Sequence, residues 1–130
     1  MSQIAIARAA ILVSGLFYML TGIALTFAPE WFFATIAYYP PFNRHFAGDL
    51  GAFTLALGLA LLWAGRNPAQ HRGLIGYAVL ASLLHALNHT YDDLLLAKQP
   101  LTNALVNAVS LYTFAIMLAA VYVTSRRQQA

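Results

Sequence analysis

The stretch AAILVSGLFYMLTGIALTFA, residues 9–28, contains no charged side chain. A hydrocarbon core of about 30 Å is crossed by about 20 apolar residues in a helix, and this stretch has that length. It is too long for the apolar part of a typical signal peptide, and no clear Ala-x-Ala site follows it. The expectation is therefore a retained membrane helix. Three further stretches pass the same test, roughly 47–64, 73–91 and 101–124. Pro29, Pro68 and Pro100 fall in the gaps, where helix boundaries are expected.

Composition points the same way. The chain has 130 residues, of which 61% are hydrophobic and 8% charged. Soluble domains run at about 45–50% apolar and about 25% charged. A soluble monomer of this size would leave too much apolar surface in water, and a disordered chain would be poor in apolar residues. The fold expected is all-α, an integral membrane four-helix bundle forming one domain. The chain has no Cys, which removes disulfides, thiolate metal sites and thiol nucleophiles. The net charge of +3 is not gathered into a basic cluster larger than Arg126-Arg127, so nucleic acid is not an expected partner.

The positive charges set the expected orientation. Arg8, Arg66, Arg72, Arg126 and Arg127 would share one side, and Arg44 and Lys98 the other. The positive-inside rule then puts both termini in the cytoplasm, in a bacterial inner membrane. The segment 29–46 carries Trp31, Phe32, Phe33, Tyr38, Tyr39, Phe42 and Phe46 and is expected in the outer interface. Pro40-Pro41 would stop any helix just before the second span. Gly48, Ala52, Ala56, Ala60 and Ala64 recur every fourth residue of that span. Small residues on one stripe let another helix approach closely, or leave a slot for a ligand.

Of four Asp/Glu and four His, three of each fall in two short segments. One holds His45 and Asp49, spaced i, i+4. The other holds His85, His89 and Asp92, spaced i, i+4, i+7, with Asp93 beside them. Such spacings stack on one helix face. The second span starts, and the third ends, on the outer side, so the two groups are expected to meet there. Ser82 extends the third-span row, while Asn103, Asn107 and Ser110 repeat the spacing on the fourth span. Tyr18 or Thr21 of the first span is placed to join them. Ionisable groups inside a span cost about 2.5–3.5 kcal/mol each on insertion scales and mark functional sites by default.

Imidazole and carboxylate together suit a transition metal, zinc or iron, with His45, Asp49, His85, His89 and Asp92 as ligands. Asn88, Asp93, Asn103 and Asn107 would orient those ligands. A catalytic version would activate water or dioxygen at the metal, with Asp92 moving protons and an apolar or lipid-like substrate. Three other readings stay open: a structural ion-pair network, haem ligation, and a quinone or lipid pocket with His and Asp as hydrogen-bonding partners. The small-residue stripe also suits a homo-oligomer or a partner in a membrane complex.

The run Phe42-Asn43-Arg44-His45-Phe46-Ala47-Gly48-Asp49-Leu50-Gly51-Ala52 leads into a Leu/Ala/Gly-rich span. With four short spans and a Pro ending the first, it resembles the DoxX-like small membrane proteins. That resemblance implies a four-helix membrane bundle and, through some members, a quinone-linked oxidoreductase subunit. Without Cys, thiol redox chemistry does not carry over.

Overall fold

The computed structural model describes residues 2–96 and 100–126, without the side chains of Asn103, Ser125 and Arg126. Lys98, Arg127 and the side chains of Asn103 and Arg126, all used above, therefore lie outside the described residues. The architecture is all-α. Five helices run in order: α1 Gln3–Phe27, α2 Pro29–Thr35, α3 Arg44–Ala64, α4 Arg72–Tyr91 and α5 Leu101–Arg126. A π-helical turn, Asp92–Leu96, extends α4.

The ends of these helices follow local chemistry. Ser2 caps α1 by accepting a hydrogen bond from the Ala5 N–H at 3.2 Å, so the helix starts six residues before the apolar run. Pro29 occupies the first turn of α2, where its missing N–H costs nothing. Asn43 caps α3 by accepting from the His45 and Phe46 N–H groups.

Three helices are long and apolar enough to cross a membrane among the described residues: 3–27, 44–64 and 104–124, with mean hydropathy of 2.0, 1.6 and 2.0. α4 has the length, at 20 residues. His85, Asn88 and His89 lower its hydropathy, so the polar row itself separates this helix from the other three.

The long helices associate as two close pairs, α1 with α3 and α4 with α5. The α1–α3 seam uses glycine at every seventh residue. Gly51 and Gly58 of α3, with Gly65 just after it, lie on this seam, as do Gly15 and Gly22 of α1. A Cβ on Gly22 would run into the Leu55 backbone, and one on Gly58 into the Met19 backbone. The expected stripe at every fourth residue is not this seam. A step of four advances about 40° around a helix of 3.6 residues per turn, whereas a step of seven drifts only about 20°. Gly48 accordingly points away from α1, while Ala56 and Ala60 rotate toward α4.

The core lies toward one end. Ile11, Leu61, Ile75 and Leu118 are fully buried there, around Ala64 and Ala78. Arg8 donates from Nε to the Gly65 carbonyl at 3.1 Å, and the Arg72 guanidinium lies 4.0 Å over the Tyr122 ring. We call this the arginine end. Phe17 stacks on Phe114 with ring centroids 4.0 Å apart, closing the core toward the middle of the molecule.

Candidate functional site

Alongside that core the two helix pairs part. α3 is held to α1 by the glycine seam and touches α4 only sparsely. The space between them is a cavity of about 690 Å³. Its walls are mostly apolar: Phe17 and Leu25 from α1, Leu50, Phe53 and Leu57 from α3, and Leu74 and Tyr77 from α4. Phe32, Ile36 and Ala37 roof it from α2 and the loop that follows. Ala56 and Ala60 line it, so part of the four-residue stripe faces this space.

A polar column runs up one side. Tyr18 donates to Ser82 Oγ at 2.7 Å, and Ser82 donates to the Ala78 carbonyl. Both residues line the cavity, as does Thr21. His85 and His89 follow along α4, with ring centroids 4.7 Å apart in an edge-to-face arrangement. Asn107 and Ser110 of α5 complete the polar end.

Behind His89 lies a tight network. Asp93, on the π-helical turn, is 1% exposed. Tyr39, from the loop between α2 and α3, donates its O–H to Asp93 Oδ1. Asn107 donates from Nδ2 to Tyr39 Oη at 3.0 Å and to Asp93 Oδ2 at 2.9 Å. His89 Nδ1 lies 3.4 Å from Tyr39 Oη. Burial, with the Asp93 hydrogen bond and charge, pushes the Tyr39 phenol well above its usual value near 10. Tyr39 therefore keeps its proton and fastens the loop to α4 and α5. A π-helical turn is uncommon and often found at functional sites; here it carries the carboxylate that receives the latch.

The sequence-based site divides in two. His85, His89 and Asn107 gather at the cavity, with Asp93 just behind. His45 and Asp49 pair with each other at 3.4 Å, but both side chains are well exposed, at 83% and 58%. They do not join the α4 group, because the glycine seam turns the buried face of α3 toward α1. Asn88 donates to Asp92 at 3.2 Å in an exposed hydrogen bond, and neither residue lines the cavity. The side chain of Asn103 is outside the described residues.

Among the described residues, no three His, Asp or Glu side chains are grouped to hold one metal ion. The hydrogen bonds give the reason. Both oxygens of Asp93 receive donors from Tyr39 or Asn107, and His89 Nδ1 faces Tyr39. A structural zinc site needs four ligands and a catalytic one about three; the described donors offer pairs. Among the described residues His85 pairs with His89 on one helix and His45 pairs with Asp49 on another, and the two pairs do not meet.

Sequence reasoning missed Tyr39, which it took as one more interfacial aromatic. The signal available was a Tyr beside Pro40-Pro41, and nothing local marks such a residue as a partner for an Asp 54 positions away. No protein-family model, no curated protein and no solved structure matches the chain.

Proposed function

We propose that the protein is a four-span integral membrane protein that binds an apolar small molecule with a polar head group. The observation that carries this is the cavity itself, with apolar walls and a short polar column at one end. Binding pockets have that composition, with a few placed polar groups fixing orientation. The proposed setting is a bacterial inner membrane with both termini cytoplasmic, so the latch lies at the outer face. The DoxX-like resemblance favours the same architecture. The gap between α3 and α4 offers a lipid-soluble molecule a route from the bilayer. A quinone-class ligand belongs to this reading; resident zinc, iron or haem does not, given the donor arrangement.

The test is purification in lipid nanodiscs, followed by solvent extraction and mass spectrometry. The expected result is one class of apolar molecule at about one per chain, absent from Ala56→Phe and Ala60→Phe variants that retain helicity and thermal stability. The same bound lipids on wild type and both variants would overturn the reading. Elemental analysis of the same sample decides the metal question separately. About one zinc or iron per chain, lost in His85→Ala, would reinstate a metal centre.

A further inference from the structure

The hydrogen atoms around the polar end of the cavity can be followed one by one. Tyr39 has a single hydroxyl hydrogen, and it goes to Asp93. Its oxygen already accepts from Asn107. The contact from His89 Nδ1 to the same oxygen must then run from the imidazole to the phenol, since Tyr39 has no second hydrogen to give. His89 is held as the Nδ1–H tautomer, and its Nε2 keeps a lone pair. Tyr39 is not part of the cavity wall and His89 is, so Nε2 is the ring nitrogen left for a ligand.

Two neighbours are in the same condition. Asn107 gives its amide hydrogens to Tyr39 and Asp93, which leaves Oδ1 as an acceptor. Ser110 gives its hydrogen to the Asn107 carbonyl at 2.9 Å, which leaves acceptor lone pairs on Oγ. Three polar groups of three different types thus reach the cavity with their hydrogens already committed inward. Thr21 and Thr54 on the facing walls keep their hydroxyl hydrogens, and His85 is an exception too. It has no hydrogen bond among the described residues, and a neutral imidazole there offers one N–H and one lone pair.

We infer that the ligand of this cavity is a hydroxyl-bearing amphiphile, an alcohol or phenol on an apolar body, whose O–H donates to His89 Nε2 and whose oxygen accepts from His85. A hydroxyl is both donor and acceptor, which matches an acceptor imidazole beside one that retains N–H. A head group that only accepts, such as a ketone, ether or oxidised quinone, would face lone pairs at His89, Asn107 and Ser110. Sites built to hydrogen-bond a hydroxyl reject analogues that lack it, because their own polar groups go unpaired. The inference rests on the cavity reading above and deepens it.

The experiment uses wild-type protein in nanodiscs and tritiated hexadecan-1-ol, with unlabelled hexadecyl methyl ether and hexadecylamine as competitors. The alcohol is expected to bind about tenfold more tightly than the ether, the upper range for one net hydrogen bond. His89→Phe should lose that preference while still binding the ether. His89→Gln, which restores an acceptor oxygen, should recover part of it. Tyr39→Phe should weaken it, because Nδ1 loses the acceptor that fixes the tautomer. Equal binding of alcohol and ether to wild type would overturn the hydroxyl assignment while leaving the cavity reading in place. Tighter binding of the amine would overturn it in favour of an ammonium head. If none of the three bound, the cavity reading would fall as well.

Discussion

Tyr39 joins what would otherwise be three separate pieces. It comes from a loop, yet its hydroxyl meets Asp93 on the π-helical turn, Asn107 on α5 and His89 on α4. A carboxylate as buried as Asp93 needs donors, and here both its oxygens have one. Removing the phenol hydroxyl in Tyr39→Phe should lower stability by about 1–3 kcal/mol, the cost of leaving such a group short of a partner. The pH dependence has a definite sign. The folded phenol titrates above the usual value near 10, so the unfolded chain loses this proton first. The contribution is complete below pH 10 and is lost as pH rises beyond it toward the folded value. Thermal unfolding of wild type should therefore weaken progressively above pH 10. Tyr39→Phe should show a shallower decline over that range. Parallel curves for the two proteins would show that Tyr39 does not hold its proton in this way.

At the scale of elements, the glycine seam decides where the cavity falls. Close approach of α3 to α1 leaves α3 too far from α4 to close the gap, and α4 is occupied with α5. Gly58 is a stringent test of that seam, since a side chain there meets the Met19 backbone and the Gly15 carbonyl oxygen. Gly58→Val should destabilise the protein by about 1–3 kcal/mol through overpacking. Gly73→Ala, where nothing lies within 4 Å of the added Cβ, should change stability by less than about 0.5 kcal/mol. Comparable melting temperatures for both variants would mean that the seam is not a close contact in the membrane. The long helices were legible in the sequence, because apolar length and Pro positions are local signals; the Ser2 cap that starts α1 six residues early was not read. The helix faces were less so. Alanine at every fourth residue marked small side chains, but heptad spacing governs which of them stay on one seam. The same limit split the site. Spacing placed His85 and His89 on one face of α4, while the rotation of α3 that carries His45 and Asp49 outward depends on its partner α1.

For the whole molecule, three arginines and the two histidines lie at opposite ends, and the cavity runs from Leu74 and Tyr77 near the first to His89 and Asn107 at the second. Arg8, Arg66 and Arg72 flank the packed core, while the latch and the two histidines lie at the far end with the aromatic segment 29–46. In the proposed membrane setting, the positive-inside rule predicts a cytoplasmic arginine end. Orientation is open to direct measurement. The absence of Cys makes one simple, because any introduced thiol is unique. Tyr38 is exposed on the loop near the latch, and Gln70 is exposed in the turn between α3 and α4. In spheroplasts, Tyr38→Cys should react with a membrane-impermeant maleimide without permeabilisation. Gln70→Cys should react only after the membrane is opened. The reverse pattern would put the arginine end outside and move the latch to the cytoplasmic face. Labelling of both positions in sealed spheroplasts would be incompatible with an antiparallel α3–α4 pair traversing the bilayer. The expected pattern would place the roof of α2 and Tyr39 at the outer surface. A ligand would then reach the cavity through the α3–α4 gap from the bilayer or past the latch from outside.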